Sequence, residues 1–506
     1  MSASAASPPV YDLAIVGGGI NGAGIARDAA GRGLRVVLLE KDDLASHTSS
    51  WSTKLIHGGL RYLEYYEFRL VAESLAEREV LLAAAPHIIE PLQFVLPHEP
   101  HLRPAWMIRA GLFLYDHLGG KRTLPASFAV QLQGKSWGAG LKSKFRKGFV
   151  YSDARVDDAR LVVINAMGAR ERGANILTRT QMTHARRDNG IWSVETRDAR
   201  GEQGELRARA LVNAAGPWVK RVHDEVSSAS GKEGVRHIKG SHIVVPRVHT
   251  GKHAYILQNA DKRIVFVIPY QGEFSLIGTT DIAVERFEEP RISDDEIAYL
   301  CAIASAYLEQ PITPAEVVWS YSGVRPLYDD GSSDPSAVTR DYVLKLEGGA
   351  DNMAPLLSIF GGKITTYRRL AEAALMQLAP FFPDMGRAWT RDQPLPGGDV
   401  PRGDFAAYGR SLAARYPGLS SEYRDALLHR HGTRCTRVLQ EAKTEADLGT
   451  YFGDTLYAVE VDYFVAQEWA RNAEDVLWRR TKCGLHLNSA QREAVAMYLR
   501  EQYGYR

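Results

Sequence analysis

The sequence predicts an α/β fold: a Rossmann-type dinucleotide-binding domain, an interleaved antiparallel-sheet domain and a helical C-terminal cap. Three observations predict it. Residues 11–40, YDLAIVGGGINGAGIARDAAGRGLRVVLLE, read as strand, glycine turn, helix and strand. Short β-like runs with turn signals fill residues 176–212 and return in HIVVPRV, RIVFVIPY and FSLIGTT. Past LPGGD, residues 395–399, the composition becomes rich in Arg, Glu, Ala and Tyr at helical spacing.

The start, MSASAASPPV, has neither a basic region nor an apolar one, so residues 1–10 read as a disordered leader rather than an export signal. A helix follows the glycine turn from about residue 21 to 33. Another is expected over residues 68–84, where Leu70, Val71, Leu75, Val80, Leu81 and Leu82 recur at threes and fours until Pro86 stops it. Residues 157–172 read as helix, and NILTRT, MTHARRDNGIWSVETRD and LRARALVNAAG read as strands with Asn189-Gly190 as a hairpin turn. Residues 294–308 are helical, VVWSYSGVRPL is strand and loop, and LLSIFGGKITTYRRLAEAALMQL switches from strand to helix across glycines. The expected dinucleotide domain is discontinuous, at about residues 11–85, 150–220 and 350–380. The antiparallel-sheet substrate domain takes about 86–149 and 221–349, the two together fill 11–398, and a helical domain takes 399–506.

With 506 residues, 45 % hydrophobic and 24 % charged, the chain is globular and long enough for two or three domains. A net charge of +2 without a concentrated basic face argues against a nucleic-acid partner. The densest basic run, LKSKFRKGF at residues 141–149, reads as a solvated loop or, failing that, as a lipid or anion contact. Cys301, Cys435 and Cys483 are far apart and form no CxxC pair, which fits a reducing compartment and excludes a disulfide framework or a cysteine zinc site. No metal-ligand pattern is predicted. There is no apolar run of about 18 residues, so no spanning helix is expected. Residues 102–122, LRPAWMIRAGLFLYDHLGGKR, read as a buried helix or, with Trp106, Met107, Phe113 and Leu114 between basic edges, as one lying in a membrane interface.

Gly17, Gly19 and Gly22 form GxGxxG between an apolar strand and a helix, with Glu40 closing the next strand. The first glycine permits the tight turn, the second lets a pyrophosphate approach backbone N–H groups at the positive helix end, and the third packs helix on strand. Glu40 then accepts from a ribose and disfavours a 2′-phosphate. The three glycines alone do not separate NAD from FAD. Ala26 and Gly33 at flavin-type spacing favour FAD, as does ALVNAAGPWV, residues 210–219, where the chain re-enters beside the dinucleotide at Gly216. In TSSWSTKLIHGG the hydroxyls of Thr48, Ser49, Ser50 and Thr53 suit phosphate and ribityl oxygens, or else an N-cap run.

Oxidising an alcohol by hydride transfer needs a base for the hydroxyl proton. His57, followed by Gly58-Gly59 with room for a flavin ring, is the first candidate, and His242 in IKGSHIVV is the second. Arg61, Arg325 in SGVRPL and Arg340 in AVTRDY sit in turn-like contexts, and guanidinium groups there suggest an anionic substrate. Gly362, Lys363, Thr365 and Thr366 in FGGKITTYR offer donors for flavin pyrimidine oxygens, the alternative being a plain helix N-terminus.

The strings GGGINGAGIARDAAGRGL, TKLIHGGLRYLE, IKGSHIVVPR, IGTTD, YSGVRPL and FGGKITTYR, in this order, resemble the FAD-dependent, aerobic-type glycerol-3-phosphate dehydrogenases from about residue 11 to 398, and more loosely beyond. The resemblance implies oxidation of sn-glycerol 3-phosphate to dihydroxyacetone phosphate, with electrons passing from FAD to a membrane quinone. It also implies a homodimer attached peripherally, as a monotopic protein, to the cytoplasmic face of the cytoplasmic membrane. Arg61, Arg325 and Arg340 would then surround the phosphate, with His57, His242 and Lys363 near the reacting carbon and flavin, and Lys239 a third candidate for the base. Departures from the pattern are Ala215 in place of the usual Thr, and His47 and Trp51 in the flavin-side loop; His47 reads as a loop histidine rather than a covalent flavin link. Rival readings are an oxidase of the same substrate that uses oxygen, a related FAD amine or 2-hydroxy-acid oxidase, and a non-catalytic protein that keeps the fold.

Overall fold

The computed structural model describes residues 10–99, 103–134, 136–226, 234–259, 263–329, 341–348 and 353–505, the side chain at 402 excepted. The chain forms two compact units. One contains Met1–Ser50, Asp158–Arg236 and Pro326–Arg506, and the other Trp51–Asp157 and His237–Arg325.

The first unit is built on an eight-stranded sheet. Val10–Val16 lies at its centre, parallel to Val36–Glu40 on one side and Gln203–Asn213 on the other. Asn175–Thr178 and Leu356–Phe360 extend it in parallel, and Val343–Glu347 closes one edge antiparallel. Central strands such as Val36–Glu40 and Leu356–Phe360 are buried at every residue. Their continuous apolar runs are what a parallel sheet covered on both faces requires. Thr180–Asp188 and Ile191–Asp198 form the antiparallel arm, turned at Asn189 and Gly190 with φ of 50° and 78°. Positive φ at both corner residues is the geometry that matches strand twist in a two-residue hairpin.

Helix Ile20–Gly31 follows the glycine turn and packs against Asp158–Arg170 and Tyr367–Leu378. Close approach there depends on Gly24, since a Cβ would stand 2.7 Å from the Tyr367 ring. Helices Phe405–Arg415, Ser421–His431, Cys435–Leu439, Ala458–Glu468 and Ser489–Tyr503 make the C-terminal region, interrupted by the small hairpin Tyr451–Gly453 and Leu456–Tyr457. This region belongs to the same compact unit as the parallel sheet. Buried ion pairs are part of the reason: Arg160 holds Glu468, with both side chains almost wholly excluded from solvent.

The second unit is a mostly antiparallel ten-stranded sheet that includes Gly234–Pro246, Phe274–Gly278, Ile264–Tyr270, Ala254–Gln258, Ile89–His98 and Lys147–Val156. Leu55–Ile56 pairs with Lys147–Val156, so the segment just after residue 50, which the sequence groups with the dinucleotide domain, lies in this unit. Helix Asp294–Tyr307 covers one face and starts at a capping box between Ser293 and Glu296. Its Leu300 packs in one core cluster with Tyr255, Val265, Val267 and Ile277.

Two local expectations change here. The run at residues 141–149 is not simply a solvated loop. Lys144, Arg146 and Lys147 face solvent, but Phe145 is buried and stacked on Tyr307 at 4.8 Å, and strand Lys147–Val156 begins within the run. The apolar segment near residue 110 forms helix Ala105–Leu118, yet buries only Leu112 and Tyr115. Trp106 is 69 % and Phe113 62 % exposed, so the buried-helix reading does not hold.

Candidate functional site

In the first unit the predicted cradle is assembled around the end of strand Val10–Val16. Gly17 has φ 113°, and a Cβ there would stand 2.4 Å from the Ala214 carbonyl oxygen. At Gly22 a Cβ would come within 1.9 Å of the Gly17 carbonyl oxygen. Only glycine fits either position. Glu40 is buried and accepts from the Gly18 N–H at 2.7 Å and the Asp42 N–H at 2.8 Å. Burial pushes its carboxyl above the ordinary value, against the pull of those N–H groups.

Ser49, in the short turn Thr48–Ser50, accepts from the Ile20 N–H at 3.0 Å and faces the open side of Gly19. Ser50 is buried and donates to the His47 carbonyl at 3.3 Å. His47 itself pairs with Asp42 at 2.7 Å and tilts against Trp218. From strand Gln203–Asn213 the chain passes the glycine turn, with the Ala214 N–H donating to the Val16 carbonyl, and Gly216 opens the next turn with φ 57°. The second glycine loop also reaches this place: the Gly361 carbonyl accepts from Asn21 Nδ2 at 3.1 Å, and Gly362 (φ 97°) leaves space for the Asn21 side chain. Lys363 and Thr365 follow directly, ahead of helix Tyr367–Leu378, and among the described residues the buried Asn21 Oδ1 has no hydrogen-bond partner. These notches, inward N–H groups and an acid at the strand end fit a dinucleotide such as FAD.

The second unit gathers a different set. His242, on strand Gly234–Pro246, is 2 % exposed, with Nε2 3.0 Å from Thr53 Oγ1 and its ring stacked on Tyr321 at 4.8 Å. Burial, then the charges of Lys54 and Arg325, push this imidazole down to about 3. Thr53 thus meets His242 rather than the hydroxyl run of Thr48–Ser50. Lys54 is buried at φ 59° with its ammonium over Tyr321. Arg325 is half-exposed, pairs with Asp281 at 3.0 Å and lies against the open face of Gly240.

His57 is half-buried and meets Phe266 edge-on at 6.4 Å. The space beside Gly58 is taken by Leu75 and the Tyr115 hydroxyl, so that glycine serves internal packing rather than room for a ring. Arg61 donates to the Tyr65 hydroxyl at 3.3 Å. Lys239 is tied to Glu296 at 2.7 Å and to the Arg291 carbonyl at 2.8 Å, anchoring it to the capping-box acid. Arg340 lies outside the described residues. Lys54 and Tyr321 were missed as site residues, although both sit inside the strings TKLIHGG and YSGVRPL.

Among the described residues no helix is long and apolar enough to cross a membrane. One carboxylate and imidazole grouping has metal-like spacing, Glu40, Asp42 and His47, but its acids are already taken by Gly18, Asp42 and Lys41 N–H groups.

Residues 12–368 match the family described as FAD dependent oxidoreductase, and residues 388–505 match the C-terminal domain of alpha-glycerophosphate oxidase. The chain is 55 % identical over 504 residues to a glycerol-3-phosphate dehydrogenase of Pseudomonas aeruginosa, covering 99 % of this chain and 98 % of that one. It is 53 % identical over 494 residues to the aerobic glycerol-3-phosphate dehydrogenase of Escherichia coli, with 97 % of each covered. It is also 53 % identical over 493 residues to the D-erythritol 1-phosphate dehydrogenase of Brucella abortus, again covering 97 % of each. Among solved structures, the glycerol-3-phosphate dehydrogenase of Bacillus halodurans complexed with FAD superposes with a TM-score of 0.79 at 26 % identity, covering 99 % of this chain and 92 % of that one. Along nearly its whole length, then, this chain belongs to the FAD-dependent oxidoreductase family and, within it, to the glycerol-3-phosphate dehydrogenases.

Proposed function

We propose that the chain oxidises sn-glycerol 3-phosphate to dihydroxyacetone phosphate and passes the electrons to a membrane quinone. The observation that carries this reading is the cluster in the second unit, where Lys54 and Arg325 lie about a buried His242. Two cations suit a phosphate dianion, and the Arg325 fork suits it best. Its half-exposed pair with Asp281 is the weak kind that a phosphate displaces readily. Arg61 is a further cation assigned to the phosphate in this reading.

When bound, FAD supplies the hydride acceptor. Gly17, Gly19, Gly22, Glu40, Thr48, Ser49, Ser50 and Gly216 would hold its dinucleotide portion, and Gly362, Lys363 and Thr365 would offer donors to its ring. As the C2 hydrogen leaves, the substrate hydroxyl must lose its proton. An imidazole brought down to about 3 is a poor acceptor, which supports His57 as the base and leaves His242, held by Thr53, to orient the polyol. Holding the phosphate turns remote binding into alignment of the reacting C–H bond. The bond from Lys239 to Glu296 supports a structural part for that lysine.

The Brucella relative carries a second reading of the substrate, a four-carbon polyol phosphate. Flavin bleaching under nitrogen separates the cases. Glycerol 3-phosphate is expected to bleach the bound flavin at least ten times faster than D-erythritol 1-phosphate, glycerol or lactate. A faster reaction with the erythritol ester transfers the assignment, and bleaching by lactate or an amino acid alone overturns it. Reduction of a quinone analogue without peroxide release in air distinguishes a dehydrogenase from an oxidase.

A peripheral homodimer on the cytoplasmic membrane face completes the reading. Its support is helix Ala105–Leu118, whose Trp106, Met107, Phe113 and Leu114 face solvent beside Arg109, with Lys121 and Arg122 following. Apolar side chains rimmed by cations suit an anionic lipid surface. Exchange of both Trp106 and Phe113 for Ser is expected to lower co-sedimentation with anionic vesicles at least five-fold, with flavin reduction by substrate unchanged. Equal sedimentation would place the membrane contact elsewhere.

A further inference from the structure

The segment from Glu40 to Ser49 wraps the glycine turn from both ends. Glu40 accepts from the Gly18 N–H, the Ala45 N–H donates back to the Gly18 carbonyl at 3.3 Å, and Ser49 accepts from the Ile20 N–H. Leu44 fills the space beside Gly18. One backbone position in this segment is strained: Ala45 has φ 60°. A left-handed alanine persists where its surroundings over-determine it.

What determines them comes from the far end of the chain. Asp43, 3 % exposed, receives Arg480 through both carboxylate oxygens, at 2.6 and 2.8 Å, and Arg479 Nε at 2.7 Å. Arg179 adds a third guanidinium at 3.8 Å. The two C-terminal arginines end a π-helical turn, Asp475–Arg480. That turn is itself fixed: Asp475 accepts from the Arg471 N–H at 2.7 Å and from Arg479 and Arg179, and Arg480 Nε also donates to the Glu468 carbonyl at 3.1 Å. Burial opposes charge on Asp43, yet the Arg480 and Arg479 charges hold its carboxyl below its ordinary value. A bidentate guanidinium fork fixes a carboxylate in direction as well as distance.

We propose that Arg479 and Arg480 are positioning residues for the flavin dinucleotide: through Asp43 they lock the segment that sets Glu40 and Ser49 against the glycine turn. The C-terminal region, expected from the sequence only as a helical cap, thereby becomes a support of the cofactor site. The proposal rests on the reading of the glycine turn as an FAD site and is independent of the substrate.

The test measures FAD affinity on deflavinated protein by quenching of flavin fluorescence, for wild type, Arg480→Met, Arg480→Lys and Asp43→Asn. Wild type is expected to rebind FAD. Arg480→Met is expected to weaken binding ten- to a hundred-fold, and Arg480→Lys less, because lysine restores the charge without the fork. At saturating FAD the KM for substrate should stay within two-fold of wild type in all three. If Arg480→Met does not fold, Asp43→Asn, nearly the same shape, carries the test with the same expected loss. FAD affinity within two-fold of wild type in the folded variants, even with a lowered unfolding temperature, overturns the proposal. Failure of wild type itself to bind FAD would instead overturn the reading of the glycine turn.

Discussion

At single residues, the two imidazoles that we assign to the reaction differ in environment. His242 is buried and stacked on Tyr321, and that burial lowers its proton affinity, which in the proposed reading favours His57 as the acceptor. Substituting His57 by Ala is therefore expected to slow flavin reduction by roughly 10²- to 10⁴-fold, measured in stopped flow under nitrogen. An unchanged rate would remove His57 from the chemistry. Arg325→Met removes a charged donor that we assign to the phosphate, worth about 1.5–3 kcal/mol. The expected result is a KM for glycerol 3-phosphate raised roughly 10- to 100-fold, with FAD affinity unchanged. Retained preference for the phosphate ester over glycerol would refute that assignment. The meeting of Thr53 with His242 could not be read from the chain, because 189 residues separate them and no local pattern links a threonine beside a lysine to a strand histidine. Lys54 was equally hidden: a buried ammonium over an aromatic ring has no sequence period.

At the level of elements, local signals carried well. The strand, glycine turn and helix of the first unit were legible because every requirement, from the tight turn to the acid on the next strand, lies within about thirty residues and follows from backbone geometry. Gly22→Ala forces a Cβ to within 1.9 Å of a backbone oxygen, so the variant is expected to purify without the yellow flavin band. A normally coloured Gly22→Ala protein would mean that the turn shifts without cost. Asn189-Gly190 and the helix Phe68–Ala84 were similarly legible, the first by its φ demands and the second by its spacing and the proline after it. What failed were readings from composition. A basic run hid Phe145, an apolar anchor, and an apolar stretch became a helix that shows its hydrophobic side chains to solvent. Composition reports which side chains are present, not which face of an element is covered.

For the molecule as a whole, buried histidines set how it meets acid. His242 is brought down to about 3, and His249 and His253 to about 4 each, chiefly by burial. Free histidine titrates near 6.5, so below that value the unfolded chain takes up protons that the folded chain refuses. This part of the stability is complete above about pH 6.5 and is lost as pH falls toward 4 and then 3. The unfolding temperature is expected to drop between pH 7 and pH 5, and His253→Asn should take up about one proton fewer on unfolding at pH 5. Identical pH slopes for the two proteins would show that His253 does not contribute.

The buried pairs that tie helix Asp158–Arg170 and the segment after Glu40 to the C-terminal region bear on how such chains diverge. Arg160 with Glu468, and Asp43 with Arg479 and Arg480, are charges that become costly when stranded, because each was removed from water on the strength of its partner. A hybrid enzyme joining residues 12–368 of this chain to a foreign tail would have to import acids and bases at matching positions or leave ions unanswered in its interior. A junction near residue 388 is therefore expected to cost stability unless both members of each pair are carried across it.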